Sequence, residues 1–107
     1  MKGHKSIEKV VKIVNVYIDK YGRDGQIEQL EQILINKVSN FKELEYYVEN
    51  VKEVNLKNLE DAANKTKNAE LIYFFARDIK GVNIAKLEDT MVNTKNAKYI
   101  YYFARDI

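Results

Sequence analysis

A repeat of 28 residues is the strongest constraint on what this chain can fold into. Residues 54–79 read VNLKNLEDAANKTKNAELIYFFARDI, residues 82–107 read VNIAKLEDTMVNTKNAKYIYYFARDI, and 16 of the 26 aligned positions are identical. A fainter third copy precedes them, because the pattern of residues 40–51 matches residues 68–79. Further upstream the register slips by one residue. Repeats of this length are typical of solenoids, in which each unit packs only on its neighbours.

The apolar spacing inside each repeat predicts two helices. Apolar residues recur three, four and seven positions apart, which is a helical period and not the alternation of a strand. In one repeat these positions are Leu56, Leu59 and Ala63, followed by Ala69, Ile72, Ala76 and Ile79. Residues 71–76 are apolar on almost every side, which predicts a helix covered by several neighbours. Ile72 and its repeat equivalent Ile100 are therefore predicted core residues.

The helix boundaries follow from the placement of glycine and asparagine. The chain has no proline and only four glycines, which favours helix over most of its length. From the positions of glycine and asparagine between the periodic segments, breaks are expected near 22–25, 38–40, 53–55, 66–68 and 80–83. Asparagine can accept hydrogen bonds from the free N–H groups of a first helical turn. The predicted N-cap residues are Asn55 and Asn83 for the first helix of a repeat, and Asn40, Asn68 and Asn96 for the second.

The N-terminal segment differs from the repeats. An apolar stripe from Ile7 to Tyr21 predicts one helix over Ser6–Tyr21, closed by Gly22. A terminal unit of a solenoid is often atypical because it caps the stack. The predicted fold is therefore all-α, a short α-solenoid of about three 28-residue helix-turn-helix repeats in a single domain, 1–107. Its segments are a cap helix in 1–25 and repeats at 26–53, 54–81 and 82–107.

Short sequence segments within the repeat also resemble repeats of other proteins. The segments KLED, TKNA and IYYFARDI resemble short tandem helical repeats of uncharacterised proteins from AT-rich anaerobic bacteria and their phages. The resemblance covers roughly residues 40–107. It implies an α-helical repeat and no activity, and it leaves the role of residues 1–39 open.

Groups able to carry catalysis or hold a metal are scarce. There is no cysteine, the single histidine is His4, and no glycine-rich phosphate loop or calcium-binding loop occurs. The recurring acids Glu60-Asp61 and Glu88-Asp89 point about 100° apart on a helix, so they are expected to be solvated and paired with lysines. We expect no enzyme activity, no metal and no cofactor. We also expect a cytoplasmic protein of a bacterial host without membrane binding, because no apolar run approaches a membrane span.

Cations and aromatic residues alternate in the last repeat, which predicts a partner-binding surface. The candidates are Lys98, Tyr99, Tyr101, Tyr102, Phe103 and Arg105, with Tyr73 and Arg77 from the preceding repeat. Another protein is the preferred partner, and the concrete version is a phage or prophage inhibitor of a host defence protein, similar to an anti-CRISPR protein. The alternative is RNA or single-stranded nucleic acid, whose bases could stack on the tyrosines. Acids at the matching positions 43, 45 and 49 interrupt a continuous basic track.

The apolar end of the last repeat predicts self-association. Ile107 continues the apolar phase of the final helix, and Tyr102 and Phe103 are expected to lack cover on one side. A solenoid end of this kind needs a cap or a partner. The expected outcomes are a symmetric homodimer through the C-terminal helix or a partner bound at the same surface, and the dimer is the preferred one.

Overall fold

The computed structural model describes residues 2–107, with side chains from Ser6 onwards. The side chains of His4 and Lys5 therefore lie outside the described residues. The described chain consists of seven α-helices and contains no strand, which confirms the all-α prediction. The helices are α1 Lys2–Tyr21, α2 Gly25–Lys37, α3 Lys42–Asn50, α4 Leu56–Thr66, α5 Ala69–Asp78, α6 Ile84–Asn93 and α7 Ala97–Asp106. The helix breaks fall where glycine and asparagine predict them.

The chain divides into two compact units, one ending at Asn55 and the other covering Leu56–Ile107. The division lies close to the predicted boundary between the repeats 26–53 and 54–81. Each unit has its own buried apolar residues.

In the first unit, α1 packs against α3. The stripe on α1 places Ile7, Val11, Val14 and Ile18 in the core, whereas Tyr21 at its end is exposed. Gly22 ends α1 in the left-handed region, with φ of 80°, and its N–H donates to the carbonyl of Ile18. Asp24, which the sequence pattern did not single out, caps α2 by accepting from the N–H groups of Gln26 and Ile27.

In the second unit, the 28-residue repeat is visible as a repeated helical hairpin. The pair α4–α5 recurs as α6–α7, with α5 and α7 offset by 28 residues at both ends. Helix α5 lies against α4, α6 and α7, and the side chains of Leu71–Phe75 are all buried. This confirms the prediction that the apolar stretch is covered on several sides.

The two predicted core isoleucines differ. Ile72 is completely buried, as predicted, whereas Ile100 at the same repeat position is only half-buried. The prediction for Ile100 was too strong, because α7 packs against α5 and α6, whereas α5 packs against α4, α6 and α7. The stacking of three repeats into one solenoid, capped by α1, stays a prediction.

Candidate interaction surface on the last helix

The segment TKNA sets the start of α5 and of α7. Thr94 Oγ1 donates to the carbonyl of Met91 and accepts from the N–H of Asn96, and the Asn96 side chain accepts from the N–H of Tyr99. Lys95 between them adopts φ of 57°. Thr66, Lys67 and Asn68 repeat the same contacts, with φ of 54° at Lys67. This confirms the predicted caps at Asn68 and Asn96. The same turn therefore precedes α5 and α7.

One side of α7 is anchored to α5 through Tyr73. The hydroxyl of Tyr73 donates to Asp106 Oδ2, and its ring lies 5.9 Å from that of Tyr99 and 6.1 Å from that of Tyr102. Tyr73 is buried. The hydrogen bond from Tyr73 to Asp106 joins the two helical hairpins. It links two repeats at the far end of α7.

Asp106 is held in its charged form. Arg105, its chain neighbour, reaches both carboxylate oxygens at 2.7 and 2.8 Å. The hydrogen bonds from Arg105 and then from Tyr73 lower the pKa of Asp106 below its ordinary value, and the carboxylate in turn raises the pKa of Arg105. Arg77 and Asp78 form the same bidentate pair at the end of α5, which raises the pKa of Arg77.

Two exposed cations of α7, Lys98 and Arg105, lie over tyrosine rings of the same helix. Tyr101 is 61% exposed, and the guanidinium of Arg105 lies 5.6 Å from its ring centroid and 5.0 Å from that of Tyr102. Lys98 Nζ lies 5.5 Å from the ring of Tyr99. Contacts of this kind hold long side chains in place. We call Lys98, Tyr99, Tyr101, Tyr102 and Arg105 the tyrosine–cation surface.

The structure sorts the predicted binding residues by accessibility. Lys98, Tyr101, Arg105 and Arg77 are exposed, and Tyr99 and Tyr102 are half-buried. Phe103 and Tyr73 are buried. These two side chains are therefore not accessible to a partner.

The recurring acids behave differently from one another. Asp61 pairs with Lys57 and with Lys86, and these hydrogen bonds lower its pKa, as expected for a solvated acid. Glu60 is buried, which contradicts the solvated interpretation, and its Oε1 accepts from the N–H of Asn83 at 2.8 Å. Glu60 satisfies a backbone donor just before α6 and so links the two repeats. The available signal was the position of Glu60 on the apolar stripe of α4, four residues after Leu56 and three before Ala63.

A buried polar cluster in the first unit was also missed. Glu31 is completely buried, and it accepts from Arg23 Nη2 at 2.6 Å and from the hydroxyl of Tyr47 at 2.7 Å. Burial, and then the bond to Glu31, raise the pKa of Tyr47 far above its ordinary value. With the one-residue slip of the upstream register, Glu31 aligns with Glu60, so both aligned glutamates are buried acceptors.

An apolar groove lies in the first unit between α1 and α2. Its volume is about 420 Å³, and its lining includes Ile13, Tyr17, Leu30 and Ile33. Ile13 and Ile33 are exposed, and so is Val16 beside them. The sequence pattern placed one apolar stripe on α1 and did not indicate this second apolar side.

Neither a metal site nor a membrane span emerges from the residues that the structure describes. No three acidic, histidine or cysteine side chains among them are grouped as metal ligands would be. None of their helices is long and apolar enough to cross a bilayer.

Comparison of the chain with models of protein families, with curated proteins and with solved structures finds no match.

The link between Tyr73 and Asp106 gives a pH-dependent prediction. We expect Tyr73→Phe to lower the urea midpoint of unfolding at pH 7, because the Asp106 carboxylate loses a donor. A carboxylate with a lowered pKa stabilises the fold above its unfolded-state pKa of about 4, and this contribution disappears as the pH falls through the folded-state value. The difference between the variant and the unmodified chain should therefore shrink in acid.

Tyr101→Phe is the matched control, since Tyr101 occupies the same repeat position with an exposed ring. It should leave the midpoint unchanged. A loss for Tyr73→Phe that stays undiminished after the pH has fallen below the strongly lowered folded-state pKa of Asp106 would contradict the assigned hydrogen bond.

Proposed function

We propose that this chain is a non-enzymatic binding protein that engages another protein through the tyrosine–cation surface of α7. Its architecture in this proposal is a short α-solenoid of about three repeats, with α1 as the N-terminal cap. The hairpin α4–α5, repeated with the same turn as α6–α7, supports this architecture. The sequence register of α2 and α3 supports a third copy.

The exposure of Tyr101, with Arg105 already placed on its ring, is the observation that carries the proposal. Tyrosine and arginine dominate the binding energy of protein interfaces, because each offers a large contact area and a polar group. The side chains are also pre-ordered by their stacking, and Tyr73 fixes the helix that bears them. A partner therefore meets a surface whose ordering cost on binding is reduced.

The resemblance of the repeat to phage-associated proteins gives the proposal a concrete form. In this form the chain is a phage or prophage inhibitor, in the cytoplasm of a bacterial host, that occupies a host defence protein in the manner of an anti-CRISPR protein. A small binding protein without catalytic groups is suited to inhibition by occupancy, which needs only affinity.

Affinity capture with a matched pair of variants tests the surface. We expect the unmodified chain to retain a stoichiometric protein partner, and Tyr101→Ala with Arg105→Ala to lose it. The control is Tyr21→Ala with Lys20→Ala, because Tyr21 is 63% exposed and Lys20 Nζ lies 5.5 Å from its ring. Equal capture by both variants would remove α7 as the binding surface.

Single-stranded nucleic acid is the second candidate, since cations beside exposed rings also suit stacked bases. Fluorescence anisotropy with a labelled oligouridine distinguishes the two. Nucleic-acid binding should weaken steeply between 50 and 200 mM salt, whereas capture of a protein through Tyr101 should change little.

A homodimer through α7 is the self-binding form of the proposal. Light scattering across a concentration series should then show twice the monomer mass for the unmodified chain. Tyr101→Ala with Arg105→Ala should shift the mass to that of the monomer.

A further inference from the structure

The contacts between the two hairpins of the second unit define what one hairpin recognises in the next. The carboxylate of Glu60 accepts the backbone N–H of Asn83, the residue that caps α6. Asp61 pairs with Lys86, three residues further along, at 3.1 Å. Tyr73 donates to Asp106 at the end of α7. One hairpin thus offers two acids and a hydroxyl, and the next offers a helix start, a lysine and a terminal carboxylate.

The second hairpin carries the same three groups at the matching positions, and they are exposed. Glu88, Asp89 and Tyr101 stand 28 residues after Glu60, Asp61 and Tyr73. Asp89 has Ala85 four residues before it, where Asp61 has Lys57, so it lacks the lysine that pairs with Asp61 along its own helix. These groups are placed to recognise an incoming helix start.

Apolar residues surround these polar groups. Ile107 is 42% exposed, whereas Ile79 at the matching position is 4% exposed. Ile84 is exposed as well, and its equivalent Leu56 lies against Gly81 at the start of the next hairpin. We call Ile84, Glu88, Asp89, Tyr101 and Ile107 the outer face. Exposed apolar residues around oriented polar groups are typical of a docking surface.

We infer that the outer face binds a helical hairpin of the repeat's own kind, carried by a partner protein. The incoming hairpin supplies a backbone N–H at an asparagine-capped helix start to Glu88. It supplies a lysine three residues later to Asp89, and a carboxylate at the end of its second helix to Tyr101. This inference rests on the proposed function and specifies the partner. It extends a contact that the chain already makes between its own hairpins.

A chain extended by one repeat tests the recognition. The full chain is kept, and a second copy of residues 80–107 is appended after Ile107. We expect the urea midpoint to rise and the amides of α7 to exchange more slowly, because the outer face becomes covered. An unchanged midpoint together with unchanged exchange in α7 would overturn the inference.

Substitutions in the outer face show whether the three polar groups carry the recognition. In the extended chain, Glu88→Gln, Asp89→Asn and Tyr101→Phe should each lower the midpoint. In the original chain, where these groups are exposed, the same substitutions should leave it unchanged. Equal effects in the two chains would overturn the inference even if the extension is stabilising.

A charge swap across the predicted Asp89–lysine pair adds a rescue control. Asp89→Lys should destabilise the extended chain, and a glutamate at the appended lysine that corresponds to Lys86 should restore the midpoint. Loss without restoration would contradict the assigned pair.

The outcomes separate this inference from the proposed function. If capture of a protein depends on Tyr101 and Arg105 while the appended repeat fails to dock, the binding surface stands and the hairpin partner is wrong. If the appended repeat docks while capture ignores both residues, the outer face stands and the proposed use of the tyrosine–cation surface is wrong.

Discussion

Ile72→Ala is expected to lower the free energy of unfolding by about 2–5 kcal/mol, the usual cost of truncating a fully buried isoleucine. Ile72 is completely buried on α5, which is covered by α4, α6 and α7. Removal of three carbon atoms there leaves a cavity that neighbours on several sides would have to fill. Because interiors are close-packed, relaxation recovers only part of this cost.

Ile100→Ala is the matched control, because the residue type, the substitution and the repeat position are the same. Ile100 is half-buried, so its truncation should cost clearly less than that of Ile72. Urea denaturation followed by circular dichroism gives both values, and hydrogen exchange in α5 confirms that the second unit is the one affected. Equal losses, or a loss at Ile72 below about 0.5 kcal/mol as at surface positions, would show that the assignment of the α5 core is wrong.

The helical hairpin could be predicted from sequence because its signals are local. The T-K-N sequence supplies the turn, the asparagine cap and the phase of the following helix within a few residues. The apolar period then fixes which side of each helix is buried. The breaks at 22–24 and 79–83 followed from Gly22 and Gly81, which both adopt positive φ.

The polar links between elements could not be predicted, because they depend on distant parts of the chain. Glu60 is buried since it meets a backbone N–H that lies 23 residues further along. The pattern of charges alone favoured a solvated acid. Phe103 was placed on the binding surface from its neighbours in sequence, yet its phase on α7 turns it into the core. Stretches of adjacent aromatic residues leave that phase ambiguous until the packing of the helix is known.

The buried cluster of the first unit gives the second large effect. Arg23→Met is expected to lower the free energy of unfolding by about 3–5 kcal/mol, because removal of one member of a buried ion pair leaves the other charge uncompensated. Glu31 is completely buried, and in this variant it would lose its cation. Within the cluster it would keep only the hydrogen bond from the Tyr47 hydroxyl. Tyr47→Phe removes one hydrogen bond to a charged group and should cost less, about 1.5–3 kcal/mol.

The cluster as a whole should be worth far less than these single losses suggest. Arg23 Nη1 is buried without a hydrogen-bond partner among the described residues, so part of the cost of burying the guanidinium is never recovered. Replacement of a complete buried ion pair by apolar residues is often neutral or stabilising. The triple variant Arg23→Met, Glu31→Met and Tyr47→Phe should therefore recover most of the stability that Arg23→Met loses. Urea denaturation of the four proteins measures this recovery, and a triple variant no more stable than Arg23→Met would mean that the three groups do not act as one unit.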